Sequence, residues 1–274
     1  GGLYYSVRTE NLVNVKNTEI SGNRALLSNV GGARLGGTVT VTDCTITNNR
    51  IERNICWYGG LYLTGITKLE GNTKISGNYA YYNSGVCAAG TSFIMEDGVE
   101  VSNNTDRGYG AVCVAGCANA YLNGGVINSN SGTGLQVRAG NNTHRVYLRG
   151  VQIRDNKGRG VTISNNARAE TIVQEGTVIE RNSGGILLED YTTLTVEGGK
   201  IRNNTTTGNG GGICVSWYGK LNMTGGEITG NQAAYGGGIY NRQRPNKDQS
   251  YLGGEDSNSA RLIADNVATG SGGG

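Results

Sequence analysis

The chain has 274 residues, of which 48 are glycine and only one is proline; disordered Gly-rich tracts and collagen both bring abundant proline, so both are excluded. Lys and Arg number 24 against 21 Asp and Glu, a net charge of +3, too balanced for a nucleic-acid binder driven by phosphate attraction. No apolar run approaches the roughly 20 residues of a membrane span, no signal peptide is recognisable, and the opening Gly1 reads as the start of a processed or excerpted piece.

Along the chain one signal recurs, an aliphatic residue followed three positions later by Asn. It reads Ile20 to Asn23, Ile46 to Asn49, Ile75 to Asn78, Val101 to Asn104 and Ile127 to Asn130. It continues with Ile153 to Asn156, Ile179 to Asn182, Ile201 to Asn204, Ile228 to Asn231 and Ile263 to Asn266. The starts lie 26, 29, 26, 26, 26, 26, 22, 27 and 35 residues apart. A few residues after most of these Asn come glycines and a short alternating segment, as in Gly60-Leu61-Tyr62-Leu63, Gly85-Val86-Cys87-Ala88 and Gly212-Ile213-Cys214-Val215. A third apolar segment lies between, as in Thr38 to Val41, Val146 to Leu148 and Leu221 to Met223.

Each period thus holds three strand-length pieces of period-two alternation, with turn residues between them and no helical spacing. The expected fold is all-β: a right-handed parallel β-helix of about ten coils of ~26 residues, three short strands per coil. A propeller blade needs four strands and a longer period, and leucine-rich repeats need a denser Leu framework. Coils stacked at the ~4.8 Å strand spacing would turn equivalent residues into columns. The Asn column then reads as a structural ladder, because Asn carries a donor and an acceptor and tolerates left-handed backbone angles at a tight turn.

The segments Leu221 to Asn231, Gly211-Gly212-Ile213 and Gly236 to Asn241 resemble right-handed parallel β-helix repeats of bacterial surface proteins. The pairing of Gly-Gly-aliphatic with aliphatic-x-x-Asn is similar to the repeats of polymorphic outer-membrane proteins and autotransporter passengers, although that family more often has Phe where this chain has Ile or Val. The resemblance spans essentially the whole chain. It implies an extracellular, cell-surface protein, often an adhesin.

The sequence reads as one β-helix domain, 1–274, part of a longer array, with an insertion loop at 242–258 that holds Pro245, the lone proline. The glycine motifs at both ends carry no recognisable polar cap, which suggests either a trimmed array or end-to-end stacking of copies into a filament. Between each Asn and the next inward aliphatic, the first coils take 8 to 12 steps, the middle ones 4 or 5 and the later ones 8 or 9. Short loops flanked by long ones would leave a shallow depression over the middle coils, with Gln136, Arg138, Lys157, Arg159 and Thr162 as candidate ligand contacts.

Six cysteines occur: Cys44, Cys56, Cys87, Cys113, Cys117 and Cys214. There is no Cys-x-x-Cys and a single His, so no metal site or cofactor is expected. Cys87, Cys113 and Cys214 share an outward position, and Cys87 with Cys113, on adjacent coils, is the expected disulfide; Cys44 with Cys56 is a second candidate.

Polysaccharide chemistry needs clustered carboxylates, or a base beside a cation that neutralises a uronate. Asn104-Thr105-Asp106 echoes one polygalacturonase motif, but the paired-Asp, Gly-His and Arg-Ile-Lys motifs of that family are missing, and Asp106 reads as a turn residue. Arg149, Arg154, Lys157 and Arg159 lie close in sequence with no acidic calcium cluster, and His144 falls in a polar turn. Thr38, Thr40, Thr42, Thr193 and Thr195 suggest an ice-binding row that Lys68, Glu70 and Arg145 interrupt. The aromatic set is 15 Tyr, 2 Trp and 1 Phe, rigid contact area with polar tips. Tyr4, Tyr62 and Tyr240 take the outward position of the glycine motif, and Trp57-Tyr58 and Trp217-Tyr218 lie at turns. The expected function is a non-enzymatic extracellular structural or adhesin module that binds glycan or a surface protein. A polysaccharide lyase or hydrolase with a site over the middle coils is the alternative. No nucleic-acid partner and no membrane span are expected.

Overall fold

The computed structural model describes residues 2–8, 10–52, 57–107, 109–138, 144–164, 169–242, 250–253 and 261–270. Among the described residues every strand–strand pairing is parallel, and each strand pairs with its counterpart one period away. No helix occurs among the described residues. Among the described residues, all but four short strands form three faces of ten rungs each; the four pair as Arg24–Ala25 with Arg50–Ile51 and Gln232–Ala233 with Val267–Ala268. The first face is built on the glycine motif, from Leu3–Ser6 through Asn83–Ala88 and Leu135–Arg138 to Ile239–Asn241. The second runs from Leu12–Lys16 through Ser92–Met95 to Tyr251–Leu252. The third is a ten-stranded sheet from Glu19–Ser21 to Arg261–Ala264. Ala33–Thr42 and Leu61–Glu70 run on from the first face into the second without a break, so the two faces join as one sheet.

The interior is a set of aliphatic columns. On the third face, Ile20, Ile46, Ile75, Val101, Ile127, Ile153, Ile179, Ile201, Ile228 and Ile263 are register partners in unbroken succession. All but Ile263 are buried. A β-branched side chain stacked on its own kind at one strand spacing packs well against the pleat. The second face has one irregular column. Phe93, fully buried, stands between Thr67 and Ala120, so one large ring is flanked by two small residues.

The asparagines run as a directional ladder. Each Nδ2 donates to Oδ1 of the next asparagine at 2.8 to 3.1 Å, from Asn23 through Asn49, Asn78, Asn104, Asn130, Asn156, Asn182, Asn204 and Asn231 to Asn266. Asn104 illustrates the bookkeeping. Its two Nδ2 hydrogens go to Asn130 Oδ1 and to the carbonyl of Ile75, and its Oδ1 accepts from the backbone N and the Nδ2 of Asn78. Two donors and two acceptor positions are all used, which is what a buried amide requires. The backbone departs from expectation in one respect. The left-handed residue of this turn is the one before the ladder asparagine: Gly22, Asn48, Gly77, Asn103, Ser129, Asp155, Arg181, Asn203, Gly230 and Asp265 all have φ between 53° and 65°. That geometry turns the asparagine side chain inward, so the asparagine serves as hydrogen-bonding hub while its neighbour takes the backbone strain.

The glycine motif and the Asn motif are two halves of one joint. A Cβ on Gly60 would lie 2.5 Å from the carbonyl of Gly85 and 3.1 Å from Asn78 Nδ2. A Cβ on Gly212 would lie 2.6 Å from Gly238 O and 3.1 Å from Asn231 Nδ2. The chain must therefore be bare where it passes over the ladder. Gly60→Ala is expected to lower stability by about 2 kcal/mol through overpacking, read as a lower urea midpoint.

On the third face Glu180 is buried and accepts from Arg202 Nε at 2.8 Å and from Arg181; Arg181 also reaches Asp155 at 2.8 and 2.9 Å. Burial alone would raise the Glu180 carboxyl, but the hydrogen bonds from Arg202 and Arg181 outweigh it and hold it below its ordinary value. Asp155 is likewise lowered, first by its hydrogen bonds from Arg181. A carboxylate lowered in the folded chain stabilises it fully above the unfolded value of about 4, and that stabilisation is lost as pH falls through the folded value. Melting temperature is therefore expected to fall more steeply below about pH 4 in the parent than in Glu180→Gln, followed by circular dichroism.

Of the insertion loop at 242–258, residues 243–249 and 254–258 lie outside the described residues; Tyr251–Leu252 adds the last rung of the second face.

Candidate ligand-binding face

Strand parity places one outward residue per rung of the first face in a single column. In order these are Tyr4, Arg34, Tyr62, Cys87, Cys113, Gln136, Thr162, Leu187, Cys214 and Tyr240. Four of the expected contacts, Tyr4, Tyr62, Gln136 and Thr162, therefore share one line with Tyr240.

Over the first six rungs this column carries a continuous aromatic and cationic layer. The Arg34 guanidinium lies between two rings, 5.3 Å from Tyr4 and 5.2 Å from Tyr62. Tyr62 stacks on Tyr58 at 4.1 Å and 14°. Trp57, beside Tyr58, meets Tyr82 at 4.7 Å, and Tyr82 meets Tyr109 at 4.9 Å. Arg138 closes the series 4.4 Å from the Tyr109 ring. Five rung steps give the strip a length of about 24 Å. Trp57, Tyr58, Tyr82 and Tyr109 come from the loops that precede the strands, and they lie across the outer face of the sheet. Arg34 and Arg138 have no carboxylate partner among the described residues. Each ring contact contributes roughly 0.5 to 1.5 kcal/mol, so the surface is organised before any ligand arrives.

The outward cysteines share the expected column, and all three are buried there. Cys87 is 2 % and Cys113 0 % exposed, in the column between Tyr62 and Gln136. Burial first, then the Cys87 thiol, the Tyr62 phenol and the Cys113 thiol, push the Tyr58 hydroxyl well above the usual tyrosine range. Cys87 and Cys113 are free thiols on directly paired positions of adjacent rungs. Cys44 is also a free buried thiol, its Sγ 3.2 Å from the Thr42 carbonyl; Cys56 lies outside the described residues.

The expected depression over the middle coils is closed. Gln136 and Thr162 are buried, Gln136 donating to Ser164. Arg159 reaches across the shortest coil, Nη1 and Nη2 donating to the carbonyls of Gly210 and Asn209 at 3.2 and 2.8 Å. The guanidinium fills the space that a longer loop fills elsewhere, and burial lowers its pKa. Lys157 is exposed and Arg138 belongs to the aromatic layer instead. Asp106 is a buried turn residue, its carboxylate accepting from Ser84 Oγ at 2.9 Å. The His144 side chain lies outside what the structure describes. Among the described residues no group of three His, Cys, Asp or Glu is placed to hold a metal ion, and no helix is long and apolar enough to cross a membrane.

Outside this strip, Tyr191 and Tyr218 stack at 4.6 Å and 6°, and Arg242 lies 4.6 Å from the Trp217 ring.

Three ten-rung faces, in-register columns and an amide ladder define a parallel β-solenoid. The chain belongs to the family described as the right-handed beta helix region, whose model matches residues 2–201. No curated protein and no solved structure matches it.

Proposed function

We propose that this solenoid is a non-enzymatic, extracellular module of a cell-surface protein, of the autotransporter-passenger kind, and that it acts as an adhesin by binding a linear glycan along the strip from Tyr4 to Arg138. The observation that carries this reading is the unbroken run of rings and guanidinium groups on one face. Aromatic faces cover the apolar faces of sugar rings, and the free guanidinium groups of Arg34 and Arg138 donate to hydroxyl or acidic oxygens. A rigid rod suits display, because each coil is held only by its neighbours and length is added without altering the face.

A glycan array probed with the purified chain tests the reading. Binding to a defined linear glycan is expected, weakened at least tenfold by Trp57→Ala, whose side chain is 37 % exposed, with the melting temperature nearly unchanged. Absence of any bound glycan, or unsaturated products from uronic-acid polymers followed by absorbance, would overturn it.

A further inference from the structure

Among the five described cysteines, Cys44 and Cys117 point into the core, their thiols donating to the carbonyls of Val15 and Ala88 at 3.4 and 3.5 Å. Cys214 stands between Leu187 and Tyr240. Cys87 and Cys113 differ: they are direct register partners on adjacent parallel strands, on the same side of the sheet. Strand partners lie about 4.8 Å apart, inside the Cα separation of roughly 4.4 to 6.8 Å that a disulfide accepts. Both are buried, and the strand register alone brings them together, with no loop movement required.

We propose that Cys87 and Cys113 are an oxidative modification site, at which a thiol–disulfide oxidant closes a disulfide that ties two rungs together beneath the aromatic strip. The thiolate of one cysteine attacks a sulfur of the oxidant's disulfide, forming a mixed disulfide and releasing one oxidant thiolate. The second cysteine, deprotonated in turn, attacks the protein sulfur of that mixed disulfide and displaces the other oxidant thiolate. Two protein S–H bonds and one oxidant S–S bond become one protein S–S bond and two oxidant S–H bonds. Two electrons pass to the oxidant and both protons end on its thiols.

The neighbouring Cys113 thiol and burial hold the Cys87 thiol well above its ordinary pKa, so attack waits for the buried pair to become accessible. Exchange is accordingly slow on the folded chain and fast while the chain is folding.

The test is to treat the chain with oxidised glutathione in two arms, folded and during refolding from urea, then alkylate under denaturing conditions and map peptides without reduction. A single cross-link between the Cys87 and Cys113 peptides is expected in the refolding arm. In the folded arm it is expected at least tenfold faster for Tyr58→Ala than for the parent. The oxidised chain is expected to melt roughly 5 °C or more above the reduced one, and Cys87→Ala abolishes that difference. Alkylation of both cysteines in both arms, stable glutathione adducts on them, or cross-links to Cys44, Cys117 or Cys214 would overturn the proposal.

Discussion

Asn130→Ala is expected to lower the stability of the chain by about 4 kcal/mol, reckoned from the polar groups it strands. Four groups lose a partner: the backbone N–H and Nδ2 of Asn104, the carbonyl of Val101 and, in part, Oδ1 of Asn156. All lie in the dry interior, where an unmade hydrogen bond costs roughly 1 to 3 kcal/mol. Asn130→Asp separates the ladder from simple volume loss. An aspartate keeps the acceptor that Asn104 uses, but it sets a second carboxylate oxygen against the Val101 carbonyl and Asn156 Oδ1. Burial and those two acceptors raise its folded pKa, so the charged form is opposed. The sign follows: the variant is closest to the parent below the unfolded value of about 4 and loses stability as pH rises from there to its raised folded value. Urea unfolding at pH 4 and pH 7 should show that gap widening, whereas the deficit of Asn130→Ala stays constant. Equal losses for both variants at both pH values would contradict the ladder's role.

The second large effect is expected at Phe93. Phe93→Ala places three small side chains in succession, Thr67, the new alanine and Ala120, along one inward column. The resulting void spans the contact between rungs, and a loss of about 4 kcal/mol follows from cavity formation with little room to relax. Ala120→Leu overpacks the parent, yet should restore part of the loss when combined with Phe93→Ala, because the leucine then occupies the vacated space. A double-mutant cycle of urea midpoints with an unchanged m-value reads this coupling. Additive losses would show that the two positions do not share one cavity.

Much of the fold is written in single residues. Ile46 and Asn49, repeated at a near-constant period, imply a column and a ladder, because a residue fixed in each turn of a winding chain must meet its own copies. The left-handed position escaped, since Ser129 and Arg181 occupy it with no glycine or asparagine to mark the turn. The binding face was only half legible. Alternation shows which side of a strand Cys87 and Gln136 occupy, but not what lies over that side. The aromatic layer is completed by Tyr58, Tyr82 and Tyr109, in loops whose path no periodicity reports. A signal was nonetheless present: aromatic residues precede the glycine motif in three consecutive coils, at Trp57-Tyr58, Tyr81-Tyr82 and Tyr109. Loop length misled over the middle coils, because Arg159 reaches across the shortest coil to carbonyls 50 and 51 residues away and closes a gap that residue counting leaves open.

Hydrogen exchange of the side-chain amides tests the account most directly. The carboxamide NH2 groups of Asn78, Asn104 and Asn130, resolved by NMR, should be protected to the same degree as backbone amides of the third face, while those outside the ladder, such as Asn123 at an exposed hydrogen bond, exchange at once. Carboxamides of all four residues exchanging together, at the rate of a solvated side chain, would mean that the coils do not rest on a shared line of amides.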